Sequence, residues 1–243
     1  MSNLTYGFQS PNVLDLKLGA RLWADDAPLA KRQRLDAVAA SSTSATLGFR
    51  IAGMKVWQGR KPASAQTVES VDAEEIGYKD YGKEYGRAFK SREDARRAFE
   101  EFLRVESAGI THTLGEKVVA RLLSDVTSLE AVLRAQESRM YSASLLFGYE
   151  GDGEVLQKGL EMEEQTRQNQ RQTNSGEEED DVDDDDDDDD GDADDDENGG
   201  PYISVVKLID FAHAEWVPGQ GPDENMLQGV RSILDILKDF TPT

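Results

Sequence analysis

The sequence predicts an α+β protein in which one folded body is interrupted by an acidic insert. Short segments alternate apolar and polar residues, as strands do, and longer segments repeat apolar residues every three or four positions, as amphipathic helices do. Between positions 177 and 197 there are 18 Asp and Glu residues and no Lys or Arg. Such a tract cannot bury enough apolar surface to fold. We therefore expect folded parts at 1–160 and 201–243 and a disordered polyacidic insert at 161–200.

Four segments are predicted to be strands because apolar and polar residues alternate along them or because they form short apolar runs. In the second strand, simple alternation would place Phe49 and Gly53 on one face and Arg50 and Met54 on the other. The predicted strands cover residues 11–19, 47–57, 139–152 and 202–216.

Four segments are predicted to be helices from their apolar spacing and their start signals. In the first, Asp25 or Asp26 can cap the helix and Pro28 suits its first turn. In the second, Ser91 and Asp94 have the spacing of a capping box. The predicted helices cover residues 25–38, 91–105, 115–138 and 222–240.

Composition excludes several classes of protein. The net charge is −22, but without the acidic tract it is about −4, so the acidity describes one segment and not the fold. The absence of Cys excludes disulfides and thiolate zinc sites, and two His residues exclude a His-rich metal site.

No signal peptide precedes the first strand, and no apolar run approaches the roughly 20 residues of a membrane span. Basic residues are not interleaved with aromatic ones as in a nucleic-acid surface. We expect a nuclear or cytoplasmic protein.

Charged residues interrupt two of the predicted strands. Asp15 and Lys17 project from the same face of the strand at 11–19, either as an ion pair on an edge strand or as a carboxylate and an ammonium aimed at a phosphate. Asp210 ends the apolar run of the last strand, either capping the next turn or binding Mg²⁺. Two acids and a lysine delivered by two strands are the groups that phosphoryl transfer requires.

Three motifs resemble those of the inositol polyphosphate kinases. The segment PNVLDLKLG at 11–19 fits the pattern PxxxDxKxG of that family. The segment ASLLFGYEGD at 143–152 resembles its serine–leucine–leucine motif, and LIDFAH at 208–213 resembles its metal-binding motif. The motifs occur in the family order, and other segments resemble the fungal multikinase branch.

The resemblance implies the C-terminal lobe of a kinase with a protein-kinase/SAICAR-synthetase-like fold, built on an antiparallel sheet with helices. In that family an N-terminal lobe with an ATP-binding lysine precedes the first motif, so the chain is expected to lack that lobe. The implied activity is the ATP- and Mg²⁺-dependent phosphorylation of inositol tris- or tetrakisphosphates. The alternative is a non-catalytic, transcription-regulatory protein that senses inositol phosphates and binds basic protein partners through residues 177–197.

The resemblance also implies roles for individual residues. Asp15 would orient the attacking hydroxyl or bind the nucleotide ribose, and Lys17 would contact the transferring phosphoryl group. Asp210 would hold Mg²⁺ with support from Ser144. The implied substrate contacts are Lys17, Lys31, Arg34, Lys55 and His213, with Arg21 and Arg32 as further candidates.

Overall fold

The structure is a computed structural model, and it describes residues 5–60, 77–174, 202–210 and 213–242. Strands and helices both contribute to it, as predicted. The strands are β1 (Pro11–Leu18), β2 (Phe49–Trp57), β3 (Tyr78–Tyr81), β4 (Ser138–Met140), β5 (Ser144–Glu150), β6 (Ser204–Ile209) and β7 (Ala214–Trp216). The helices are α1 (Leu29–Ala40), α2 (Ser44–Leu47), α3 (Lys83–Arg87), α4 (Arg92–Leu103), α5 (His112–Ala135), α6 (Gly153–Asn174) and α7 (Glu224–Lys238).

Five strands form one antiparallel sheet in the order β3-β2-β1-β5-β6, and β4 pairs with β7 in a separate two-stranded sheet. The predicted antiparallel sheet with helices is therefore confirmed. Because β1 lies at the centre of the five-stranded sheet, the edge-strand interpretation of Asp15 and Lys17 is wrong.

The two faces of this sheet have different environments. One face, which we call the core face, carries Leu14, Leu16 and Leu18 of β1, all fully buried. It belongs to a hydrophobic cluster that includes residues of α4, α5 and α7. Burying each leucine side chain contributes about 1.5–3 kcal/mol. The opposite face carries Asp15 and Lys17, and we call it the site face.

A β-bulge in β2 changes which of its residues share a face. Asp15 pairs with Gly53 and Leu16 pairs with Ile51, so Ala52 is left without a partner in the register. After this extra residue the alternation is shifted by one position. Met54 is therefore buried with Ile51 on the core face, which corrects the faces predicted for Gly53 and Met54.

Two predicted strands are each broken in the middle. Ser142 interrupts the strand predicted at 139–152 with a φ of 61°, and Asp210 interrupts the one predicted at 202–216 with a φ of 68°. A left-handed residue turns the chain out of the extended conformation. The chain therefore moves from one sheet to the other at Ser142, and β6 and β7 likewise belong to different sheets.

Of the two helix caps predicted from local sequence signals, one is present in the structure and one is not. The capping box of Ser91 and Asp94 is confirmed, with each side chain accepting a hydrogen bond from the other residue's backbone N–H. The cap predicted for the first helix is wrong, because Pro28 occupies the N-cap position and no described side chain caps it. Asp25 is paired with Arg21 instead.

Helix α6 extends into the region predicted to be disordered. Residues 161–174 continue this helix, so the boundary predicted at 161 is wrong. Buried Leu156 anchors the first turns, and Glu163 forms ion pairs with Arg121 of α5 and Arg167 of its own helix. The remainder of the predicted insert, including the acidic tract at 177–197, lies outside the described residues. Among the described helices, none is long and apolar enough to cross a membrane.

Candidate functional site

The site face brings the predicted catalytic and metal-binding residues together across three strands, and a fourth strand adds Arg50. Lys17 of β1 pairs with Arg50 of β2 on one side and with Ser144 of β5 on the other. Ser144 in turn pairs with Ile209, the last residue of β6 before Asp210. Directly paired residues in a sheet point to the same face, so these side chains form one row.

Lys17 and Asp210 form the ion pair at the end of this row. The Lys17 ammonium donates a hydrogen bond of 2.8 Å to Asp210 Oδ2. The Lys17 side chain is 18% exposed and the Asp210 side chain 57% exposed, so the carboxylate remains accessible to a ligand. The positive φ of Asp210 ends β6 beside Lys17. The two residues are 193 positions apart in the sequence, and the order of the strands is what joins them.

Asp15 lies one row further along β1, in a partly buried position. Burial raises the pKa of its carboxyl above the ordinary value of 3.8, and the negative charge of Asp210 adds to the rise. The nearby Ser144 hydroxyl and the Lys17 and Arg50 cations oppose it. The site therefore holds a carboxylate that is poorly solvated and surrounded by charged groups.

Two buried oxygen atoms in this region lack hydrogen bonds. Asp15 Oδ1 and Ser144 Oγ are both buried without a hydrogen-bond partner in the described part of the chain. The serine hydroxyl is near enough to favour the ionised form of Asp15 but lacks hydrogen-bond geometry to it. Since buried polar atoms normally have partners, two unpaired ones beside the ion pair of Lys17 and Asp210 are consistent with a site for a ligand.

The donors present fit Mg²⁺ at a nucleotide site. The described residues contain no cluster of three or more His, Cys, Asp or Glu that could hold a metal alone. Mg²⁺ at such sites takes one or two carboxylates and completes its shell with phosphate oxygens and water. The accessible carboxylate of Asp210 and the unpaired hydroxyl of Ser144 match that requirement.

Two of the predicted substrate contacts meet at the edge of the site. The Lys31 ammonium of α1 lies 3.5 Å from Nε2 of His213, which precedes β7. Arg34 is exposed on α1, one helical turn beyond Lys31. Lys55 lies on the site face near the other end of the sheet, with its ammonium 4.5 Å from the Tyr78 ring centroid. The structure therefore joins Lys31 with His213 and places Lys55 apart from them.

The further candidates Arg21 and Arg32 organise the loop between β1 and α1. Both guanidinium groups lie over the Trp23 ring, 4.0 and 4.7 Å from its centroid. Arg21 also pairs with Asp25, and Arg32 donates a hydrogen bond to the carbonyl of Ala27. Their interactions tie this loop to the start of α1.

Sequence reasoning missed one residue of the site, Arg50, and one buried acid at the far end of β5, Glu150. Arg50 was not predicted as a site residue, although it lies directly opposite Lys17. Glu150, at the end of β5, is buried and accepts hydrogen bonds from the backbone N–H groups of Gln9, Ser10 and Asp152. The sequence signal that could have identified Glu150 is its position at the end of an apolar strand. Glu150 fixes the segment that leads into β1.

Comparison with known proteins identifies the family of this chain. The sequence profile described as "Inositol polyphosphate kinase" matches residues 1–238. The chain belongs to the inositol polyphosphate kinase family. This is a family of phosphotransferases, so the predicted kinase chemistry, the ATP-dependent phosphorylation of inositol polyphosphates, is confirmed at the level of the family.

Individual members of the inositol polyphosphate kinase family support this assignment. The chain is 39% identical over 251 residues to the inositol polyphosphate multikinase of Saccharomyces cerevisiae, covering 99% of this chain and 67% of that protein. It is 30% identical over 248 residues to inositol hexakisphosphate kinase 3 of Mus musculus, covering 99% of this chain and 50% of that protein. The chain thus spans about two thirds of the first curated relative and half of the second.

A crystal structure shows the same fold. The inositol phosphate multikinase of S. cerevisiae, solved in complex with ADP and Mn²⁺, matches with a TM-score of 0.67 and 31% sequence identity. The match covers 98% of this chain and 81% of that one. The resemblance of the three motifs to those of an inositol polyphosphate kinase, and to the multikinase branch in particular, is therefore confirmed.

Proposed function

We propose that this chain transfers the terminal phosphoryl group of ATP to a ring hydroxyl of an inositol tris- or tetrakisphosphate, in a reaction that requires Mg²⁺. The observation that carries the proposal is the row on the site face, where Lys17 and Asp210 form an ion pair next to the unpaired oxygens of Asp15 and Ser144. Family membership and the ADP and Mn²⁺ bound to the yeast relative support the choice of a nucleotide and a divalent metal.

Asp210 and Ser144 would hold the metal. When bound, Mg²⁺ supplies positive charge that neutralises the nucleotide phosphates during transfer. Asp210 is suited to this role because its carboxylate is accessible and is already held in place by Lys17. Ser144 is suited because its buried hydroxyl has no partner among the described residues.

Lys17 and Asp15 would act on the reacting groups. The Lys17 ammonium is a compact charge that can contact the transferring phosphoryl group and neutralise charge as it develops. Asp15, when ionised, can accept a hydrogen bond either from the attacking hydroxyl or from the ribose. Its raised pKa makes the carboxylate more basic than an exposed one, which favours the first role.

Lys17, Lys31 and His213 would form the acceptor site, in which the phosphates of the inositol ring bind. Lys31 and His213 already lie side by side, so one phosphate can accept hydrogen bonds from both. Charge-assisted hydrogen bonds contribute about 1.5–3 kcal/mol each. Arg34, exposed on the same helix, can reach a second phosphate, and Lys55 would contact a substrate only at a greater distance along the sheet.

Nothing in the described part of the chain favours the non-catalytic alternative. That interpretation depends on basic protein partners for the acidic tract at 177–197, and those residues lie outside the described ranges. The partner assignment therefore remains a prediction.

The proposal is tested by binding and by phosphoryl transfer with this chain. Isothermal titration with inositol trisphosphate is expected to show binding that Lys17→Met and Lys31→Met both weaken. Transfer from ATP in the presence of Mg²⁺ is expected to be lost in Asp210→Asn. Lys117→Met, at an exposed lysine of α5, is the matched control. A folded chain that binds no inositol phosphate would refute the acceptor site.

A further inference from the structure

Arg50 lies on the site face without an ion-pair partner among the described residues. It lies directly opposite Lys17 in the register of β1 and β2, so two cations occupy adjacent positions on one face of the sheet. Like charges directly opposite each other destabilise a sheet. Such a pair is retained at a site when an anion between the two cations offsets their repulsion.

A second arginine lies close to Arg50. Helix α3 packs on β2 at Gly86, where a Cβ atom would overlap the carbonyl oxygen of Ile51. Only glycine permits that approach, and it places the next residue, Arg87, near Arg50. Burial lowers the pKa of the Arg50 guanidinium, and the positive charge of Arg87 lowers it further. The fold therefore brings two guanidinium groups together against their repulsion.

The protein supplies little to neutralise these groups. Arg50 donates one long hydrogen bond of 3.4 Å, to the neutral hydroxyl of Ser44, and has no carboxylate within ion-pair distance in the described ranges. Arg87 donates to Glu84 at 2.9 Å, on its solvent side, where the Glu84 side chain is 75% exposed. Asp15 attracts Arg50, yet Asp15 Oδ1 is left without a hydrogen-bond partner among the described residues.

A comparable arginine pair elsewhere in the molecule has a bridging carboxylate, which Arg50 and Arg87 lack among the described residues. Arg121 of α5 is also partly buried and also lies near a second arginine, Arg167 of α6, which lowers its pKa after burial. There a single carboxylate, that of Glu163, contacts both guanidinium groups. At Arg50 and Arg87 no described carboxylate occupies the equivalent bridging position.

We propose that Arg50 and Arg87 bind a phosphate of the inositol polyphosphate next to the group that Lys17 contacts, a position we call the arginine subsite. A phosphate monoester accepts two parallel hydrogen bonds from one guanidinium, which Arg50 can offer because no described carboxylate pairs with it. The inference rests on the proposed function, because it enlarges the acceptor site. It implies that a substrate with phosphates on both sides of the reacting hydroxyl binds more tightly than one with a phosphate on one side.

The test measures the affinity of the chain for inositol trisphosphate and, separately, for ADP by isothermal titration. Arg50→Met is expected to weaken inositol trisphosphate at least about tenfold, and Arg87→Met by a few fold, with ADP affinity unchanged. Arg121→Met is the matched control, because it removes a partly buried arginine of similar electrostatic environment that already has its own carboxylate. It is expected to leave both affinities unchanged.

Two further variants keep the test decisive. If Arg50→Met does not fold, Arg50→Lys retains the charge but loses the paired hydrogen bonds, and it is still expected to weaken the inositol phosphate. Unchanged affinity in Arg50→Lys and Arg87→Met, with weakened binding in Lys17→Met, would overturn the arginine subsite and leave the proposed function standing. Loss of ADP affinity instead would assign the arginines to the nucleotide. A wild-type chain that binds no inositol phosphate would overturn both proposals.

Discussion

The two faces of β1 differ in what their residues do. Leu14, Leu16 and Leu18 face the helices and are fully buried, whereas Asp15 and Lys17, between them in the sequence, face the site. Stability and, under the proposed function, chemistry are therefore carried by alternate residues of one strand. Substitutions on the core face should mainly change the free energy of unfolding, and substitutions on the site face should mainly change substrate affinity or turnover.

The largest effect is expected on the site face, from Lys17→Met. Losing a cation that acts on the transferring phosphoryl group should lower kcat by about 10²–10³. The partner Asp210 is more than half exposed, so the free energy of unfolding should change by less than about 1 kcal/mol. Rates of phosphoryl transfer and urea unfolding of the same samples check both. A large loss of stability would break the separation of the two faces.

The next effect is on the core face, from Leu16→Ala. Truncation of a fully buried leucine should lower the free energy of unfolding by about 2–5 kcal/mol, because it leaves a cavity in the packed cluster. Affinity for inositol trisphosphate, corrected for the folded fraction, should stay within about twofold of wild type. Circular dichroism during urea unfolding measures the first quantity and calorimetric titration the second.

A smaller effect is expected at the start of β1, from Glu150→Gln at the facing end of β5. The carboxylate accepts three backbone hydrogen bonds, and an amide replaces these charge-assisted bonds with weaker ones. We expect the free energy of unfolding to fall by about 1.5–3 kcal/mol. Asp152→Asn, at the half-buried helix start nearby, is the control. Equal stability of Glu150→Gln and wild type would show that the buried charge is not what holds the entry to β1.

The smallest effect concerns the dependence of stability on pH. Burial raises the pKa of Asp15 above 3.8, so the native state binds this proton more tightly than the unfolded state. The stability that this protonation contributes is fully present below pH 3.8 and is lost as the pH rises through the native pKa. Asp15→Asn should therefore be more stable than wild type at neutral pH, and the difference should shrink on acidification. Urea unfolding at several pH values measures it; a difference independent of pH would contradict the prediction.

Local patterns allowed much of the fold to be predicted. The capping box at Ser91 depends on residues three apart, and the apolar spacing of α5 and α7 depends on one helix face. The breaks at Ser142 and Asp210 could not be predicted, because they are where the chain changes sheets. The last turns of α6 were missed because their composition is polar and their tertiary ion pair, between Arg121 and Glu163, links distant segments.

The candidate site was predictable to the extent that its motifs are local. Asp15 and Lys17 share a face of one strand by simple alternation, but their proximity to Asp210 depends on the order of β1, β5 and β6. Arg50 was missed because periodicity alone did not distinguish it from the other polar residues of β2. Its position opposite Lys17 is a matter of register, which no single strand specifies.

The bulge at Ala52 marks a position where the length of β2 can change. It allows Arg50 and Lys55, an odd number of positions apart, to face the site while Ile51 and Met54 stay in the core. Many side chains fit a position with no cross-strand partner, so substitutions at Ala52 should be tolerated. Deleting that one codon would also leave the other side chains of β2 on their present faces, because regular alternation places Arg50, Gly53 and Lys55 together once the extra residue is gone. The strand can therefore vary in both composition and length at this one position.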